Sequence, residues 1–163
     1  MRRPVANKDL IPTQYRKMQT TIHIQKAGSK QYDAICQLLS AAQLPIEDIN
    51  PLLEHFFIAV EADEIVAVTG MDKYGNAGLL RSVLVQPAFR NSGVAATLLS
   101  QMFSYAKEQG IVMLYLITNT AEKYFEKKGF KKIAREAVPA TVLQSKEFNG
   151  LCPSGSAIMQ ISL

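Results

Sequence analysis

Leu84-Val85-Gln86-Pro87-Ala88-Phe89-Arg90-Asn91-Ser92-Gly93-Val94-Ala95 reads as a strand that ends, a short loop and a helix that begins. The strand, from Leu79 to Val85, is stopped by Pro87, which has no N–H to give to a ladder. The loop brings a basic residue, a glycine and small side chains to the first turn of a helix. Backbone N–H groups there have no intrahelical partner and the helix dipole is positive. Nothing bulky stands in front of them, so the segment suits an anion, and the natural anion is a phosphate. Neither G-x-x-x-x-G-K-[ST] nor G-x-G-x-x-G occurs; the pattern is Arg90-x-x-Gly93-x-Ala95. An ordinary loop and helix start is the competing reading of so short a pattern.

Outward from this stretch the chain alternates strands and helices. Upstream, Thr21 to Ile24 is a short strand, and a helix from Ser29 carries Ile35, Leu38, Leu39 and Ala42 on one face before Pro45. Cys36 falls on or near that face, as a buried structural thiol would. Phe56 to Glu61 and Ile65 to Thr69 form a hairpin, and Tyr74 to Gly78 is a turn before the strand Leu79 to Val85. Downstream, the helix Val94 to Gln109 has Ala95, Leu98, Leu99, Met102, Phe103 and Ala106 as its apolar stripe, with Gly110 as its stop. Ile111 to Ile117 is almost continuously apolar, as in a strand covered on both faces. A short helix, Ala121 to Lys128, ends at Gly129; Phe130 opens a strand, and Ala157 to Ile161 closes the chain.

The chain of 163 residues suits one domain with an ordinary core, and 48% hydrophobic with 20% charged residues is a soluble composition. No apolar run approaches the ~20 residues of a membrane span, and no secretory leader opens the chain, so no membrane partner and a cytoplasmic location are expected. Cys36, Cys152, His23 and His55 form no metal-ligand pattern, and no metal is expected. The net charge of +4 lies in residues 1–17, where Arg2, Arg3, Lys8, Arg16 and Lys17 face Asp9 alone, leaving 13 basic and 13 acidic residues elsewhere. Residues 1–17 therefore read as a basic, flexible arm before a domain at 18–163, with Met18 a candidate start. Nucleic acid is not expected at the neutral folded domain.

Arg90-x-x-Gly93-x-Ala95 is similar to the pyrophosphate-binding signature [Q/R]-x-x-G-x-[G/A] of the GNAT acetyltransferase superfamily. Ala121-Glu122-Lys123-Tyr124-Phe125-Glu126-Lys127-Lys128-Gly129-Phe130 resembles that family's A-x-x-x-Y-E-K-x-G-F segment. Both motifs stand in the family's order, within a resemblance covering about residues 20–163. It implies an α+β (α/β) GNAT fold: a mixed central sheet with an antiparallel N-terminal meander, splayed at its two central strands, and helices on both faces. It also implies acetyl-CoA as co-substrate and a small-molecule amine as acceptor, with a homodimer left open. Arg90, Asn91, Ser92, Gly93, Val94 and Ala95 would cradle the pyrophosphate. Main-chain groups of Leu84 and Val85 would pair with the pantetheine arm, and Thr118, Asn119 and Phe125 would complete the coenzyme site. A backbone N–H would polarise the thioester for direct attack without an acyl-enzyme.

The family's general-acid tyrosine falls on Phe125, which has no proton to give, and its asparagine falls on Thr118, with Asn119 beside it. Tyr124 is turned about 100° away on an ideal helix. The catalytic residues are therefore unassigned, with Ser82, Tyr124 and Glu61 as candidates and Glu64 and Glu54 as further bases through water; a surface carboxylate is the alternative for each. Beyond Phe130, the excursion up to Ala157 reads as a lid, with Pro139 at the first position of a short helix. Its R-x-x-V-P-A, S-x-E-F and L-C-P-x-S-A elements, with Leu80-Arg81-Ser82-Val83, resemble acetyltransferases encoded with arsenic-resistance genes, although Gly155 interrupts the third. Within that resemblance Arg81 would pair with an acidic group of the acceptor, and Cys152 would touch a soft arsenical. The alternatives are an Arg81 that faces solvent or neutralises a nearby carboxylate, and a packed turn cysteine. An amino-acid-like or arsenic-containing acceptor follows from the resemblance. A ligand sensor without turnover, or an enzyme acting on protein amines, remains as a rival.

Overall fold

The computed structural model describes residues 21–151 and 155–163. The basic arm and Cys152 lie outside the described residues. Seven strands form one sheet in the order β1-β2-β3-β4-β5-β7-β6. These are β1 His23–Lys26, β2 Phe56–Glu61, β3 Glu64–Tyr74, β4 Ala77–Val85, β5 Met113–Thr118, β6 Lys131–Ile133 and β7 Ala157–Ser162. Every pairing is antiparallel except β4 with β5. That parallel pair needs a crossover, which helix α2 (Val94–Glu108) supplies.

The sheet is covered on both faces. On one, Leu98, Leu99, Met102 and Ala106 of α2 pack against Phe57, Met71, Leu80 and Leu114. On the other, Ile35 and Leu39 of α1 (Tyr32–Ala41) meet Phe56, Ile58 and Val68. Farther along this second face, Val138, Val142 and Phe148 seat the excursion on Ala77, Leu79 and Tyr115. The excursion contains the one-turn helix α4 (Ala140–Leu143). A short α3 (Glu122–Lys127) precedes β6. Among the described residues no helix is long and apolar enough to cross a membrane.

The element order agrees with the sequence reading, and the differences have local causes. β3 runs on to Tyr74 rather than stopping at Thr69, because the expected turn contracts to Gly75-Asn76, with Gly75 at φ +64°. Asp72 is thereby a strand residue opposite Leu79. β1 lies two residues later than expected, pairing His23–Lys26 with Phe57–Val60. Ser29–Gln31 forms a 3-10 turn before α1, and Pro139 caps α4 rather than opening it. Cys36 is half-buried, not fully buried.

Two irregularities shape the centre. Along β3–β4, Val68 faces Leu84 but Gly70 faces Arg81, so Ser82 and Val83 together oppose Thr69. This is a β-bulge, with Ser82 at φ +55°. At Gly70 the ring of Phe56 lies across the backbone: a Cβ there would overlap its Cζ. Gly70→Ala is therefore expected to cost about 1–3 kcal/mol through overpacking, read as a lower urea midpoint at unchanged slope.

Candidate functional site

The parallel pairing between β4 and β5 covers only Ala77–Leu79 against Met113–Tyr115. Beyond it each strand is held by its other neighbour, β4 by β3 and β5 by β7 up to Thr118. The two strands part, and a cleft of about 390 Å³ opens between them. Leu80, Ser82 and Val83 line one wall, Leu116, Thr118 and Asn119 the other.

A second cavity, about 540 Å³, lies over the start of α2 and is lined by all of Arg90 to Ala95. Val83, Thr120, Ala121 and Phe125 line both cavities, so the two form one groove. Gly93, the residue before α2, has φ +83° and open space where a Cβ would stand. Asn91 is also left-handed, at φ +60°. Among the described residues no side chain caps the first turn of α2, whose amides are therefore available to an anion. The Ser92 hydroxyl donates to Phe89 O, fixing the loop.

The strand groups are arranged unequally. Gln86 N donates to Val66 O, so Gln86 and, two residues earlier, Leu84 spend their main-chain groups on β3. Val85 turns its own toward the cleft, and its carbonyl accepts from Arg90 Nε at 3.2 Å. Leu84 thus lines the groove without the free main-chain groups expected of it, because the ladder already uses them.

Phe125 is buried against Phe130, ring centroids 5.5 Å apart. Tyr124, expected to face elsewhere, also lines the groove, its ring edge-on to Phe125 at 5.2 Å. Its hydroxyl is buried without a hydrogen-bond partner among the described residues, and burial raises its pKa. The Thr118 hydroxyl accepts from Ala121 N, so this side chain steadies the approach to α3. Glu61 and Glu64 face one another at the β2–β3 hairpin tip and line neither part of the groove.

On the α1 face a third cavity, about 700 Å³, is lined by Asp48, Glu54, His55, Asp72, Tyr74 and Ser145 among others. Arg81 stands between it and the splay, buried to 3% exposure. Its Nη1 and Nη2 donate to Asp48 at 2.7 and 2.6 Å, Nη1 donates to Asp72 at 2.9 Å, and Glu147 Oε1 lies 3.4 Å from Nη2. Arg81 neutralises carboxylates of its own chain; it is not presented to an acceptor. Burial opposes its charge, but the hydrogen bonds to Asp48 and the nearby carboxylates raise its pKa. Burial pushes Asp72 up, partly countered by Arg81. Burial also pushes Glu147 up to about 7, with Asp48 and Asp72 adding to the rise and Arg81 opposing it.

Sequence reasoning did not anticipate Asp48, Asp72 or this role for Glu147. One signal was present: Ser145, Glu147 and Phe148 of S-x-E-F are all buried, and Glu147 meets Arg81 of the Leu80-Arg81-Ser82-Val83 segment. Two stretches far apart in sequence touch at this cluster. Lys128 and Thr120 in the groove were missed as well.

A family profile described as an acetyltransferase (GNAT) domain matches residues 53–132, which span the bulge, the Arg90 loop and α3. Over that stretch, 80 of its 163 residues, the chain is similar to GNAT acetyltransferase domains. An amino-acid acetyltransferase of Pseudomonas fluorescens is 27% identical over 90 residues, 54% of this chain and 21% of that protein. N-acetylglutamate synthase from Neisseria gonorrhoeae, solved with coenzyme A and N-acetyl-glutamate, superposes with a TM-score of 0.75 at 18% identity, covering 88% of this chain and 35% of that one. A GNAT-family acetyltransferase from Staphylococcus aureus Mu50 gives 0.73 at 20% identity, covering 88% and 99%. The chain thus spans about a fifth to a third of the first two relatives and nearly the whole of the third.

With φ +83° and open space where a Cβ would stand, Gly93 is the position in the groove most sensitive to bulk. Gly93→Val is expected to abolish the rise in melting temperature that saturating coenzyme A produces, since ligand stabilisation follows RT ln(1 + [L]/Kd). The unliganded variant should still unfold cooperatively, at a somewhat lower temperature because valine is strained at positive φ.

Proposed function

We propose that the chain is an acetyl-CoA-dependent N-acetyltransferase acting on the amine of a small molecule. The observation that carries this reading is the continuity of the groove from the Arg90–Ala95 loop to the β4–β5 splay. An anion cradle at one end and two parted strands at the other suit a pyrophosphate followed by an extended, amide-bearing arm. The coenzyme A bound to the Neisseria relative supports the same assignment.

When bound, acetyl-CoA supplies an activated thioester. The chain's part is to hold it and to receive the amine. First-turn amides of α2, with Arg90, Asn91 and Ser92, bind the pyrophosphate, and Val85 offers main-chain groups to the arm. A backbone N–H at the Ser82–Val83 bulge polarises the thioester carbonyl. A neutral amine then attacks directly, and much of the rate comes from holding the two reactants together. The departing thiolate, with a thiol pKa of about 8.5, leaves without obligatory protonation by the side chain at 125. Of the three glutamates considered as bases through water, Glu54 lines the α1-face cavity.

An amino-acid-like acceptor is supported by the similarity to the Pseudomonas amino-acid acetyltransferase. The α1-face cavity carries Asp48, Glu54 and Asp72 together with Lys73 and Lys146, a mixture suited to a zwitterion. The S-x-E-F and Leu80-Arg81-Ser82-Val83 segments keep an arsenic-containing amino-acid analogue among the acceptors. The ligand-sensor reading draws on one observation, the Phe125 side chain where a proton donor would stand.

A panel of amino acids, diamines and arsenic-containing analogues, assayed with acetyl-CoA by thiol release, is expected to yield at least one acceptor with turnover. Binding of acetyl-CoA without thiol release above hydrolysis for any member would favour the sensor. With the acceptor in hand, Tyr124→Phe is expected to lower kcat by less than about ten-fold. A loss within the 10²–10⁴-fold range of a general acid would make Tyr124 the proton donor.

A further inference from the structure

Three carboxylates surround one guanidinium beneath the excursion. Asp48 comes from the α1–β2 connection, Asp72 from β3, and Glu147 from the excursion itself, while Arg81 belongs to β4. Asp48 holds Arg81 in a bidentate pair at 2.6 and 2.7 Å, and Asp72 takes a third bond at 2.9 Å. Glu147, at 3.4 Å, meets a guanidinium already engaged by both. It is nonetheless buried, as are Ser145 and Phe148 on either side. Tyr74 from β3 also lines the α1-face cavity beside Ser145 of the segment. On the excursion's own side the charged groups are Lys146 and Arg135, the latter donating to Phe148 O and stacked over its ring.

We propose that Glu147 is a proton-operated latch: protonated, it holds the 140–151 segment closed against Arg81, and on losing its proton it releases that segment toward water. Ionised Glu147 is held in burial beside two competing carboxylates. Movement of its own segment would hydrate it, whereas Asp72 and Arg81 are fixed in central strands. The segment has little else of regular structure to hold it: α4 is four residues long, and Asn149 and Gly150 have non-helical dihedrals. Thr141, Gln144, Ser145 and Lys146 of the same segment wall the α1-face cavity, so release widens that cavity. The consequence for acceptor entry rests on the proposed function; the latch does not.

The sign follows from linkage. Glu147 binds its proton more tightly closed than open, so the closed state is favoured fully below the ordinary carboxyl range and loses that advantage as pH rises through about 7. The test is hydrogen–deuterium exchange on the full, ligand-free chain, corrected for intrinsic rates, at pH 6 and pH 8.5. The amides read are Ser145 and Asn149, bonded to Val142 O and Ser145 O, with β2 as internal reference. Opening of the segment relative to β2 is expected to increase about ten-fold between the two pH values. Glu147→Gln should remove that dependence, and Asp48→Asn should shrink it by leaving Arg81 freer for ionised Glu147. Equal relative protection at both pH values in the wild type would overturn the latch. So would a Glu147→Gln or Asp48→Asn chain that keeps the full ten-fold change.

Discussion

Only three residue pairs join β4 to β5, and the functional architecture depends on what happens beyond them. A parallel pair that continued to Val85 and Thr118 would close the sheet and leave no room for an extended ligand. Two features prevent this. The bulge at Ser82–Val83 bends β4, and β7 holds β5 along its whole length. The edges that face the splay keep main-chain groups unpaired by the sheet, and a buried backbone group without a partner is costly. An amide-bearing arm lying in the cleft would supply those partners, so the opening and the ligand are two sides of one constraint.

Arg81 lies one residue before the bulge and ties three segments to it. Removing the guanidinium alone would leave buried Glu147 facing half-buried Asp48 and Asp72 with no cation between them, and breaking a buried pair in this way costs up to about 3–5 kcal/mol. The arrangement carries more negative than positive charge, and burial, with Asp48 and Asp72 adding to it, raises the proton affinity of Glu147. A chain that needed only rigidity could have used apolar residues here, as it does at Val138, Val142 and Phe148 a short distance away. The charged cluster instead joins the splay, the α1–β2 connection and the excursion through groups that respond to protons and to other charges.

Much of this was legible in the sequence, and the limits are physical. The Arg90 loop and α2 announce themselves by local rules: a proline that ends a strand, a glycine able to take φ +83°, and a stripe with helical spacing. Element types survived because hydrophobic period survives; the end of β3 did not, because Gly75-Asn76 suffices for a turn that a longer polar stretch seemed to need. The Arg81 cluster was invisible for a different reason. Its four members stand at positions 48, 72, 81 and 147, and no local pattern distinguishes an arginine that binds an acceptor from one that neutralises its own chain. Tyr124 shows the same limit on a smaller scale. A rotation of about 100° on an ideal helix does not remove a large ring from a groove whose wall that helix forms.

The most direct test of the central claim is backbone amide chemical-shift mapping by NMR as coenzyme A is added to the isotopically labelled chain. If the groove is the coenzyme site, the largest shifts fall on Asn91 to Ala95 and on Val83 and Val85, while the Glu61–Glu64 hairpin tip stays unchanged. Shifts that leave the α2 start and the β4 bulge unmoved at saturation, or that gather at the hairpin tip, would contradict the account.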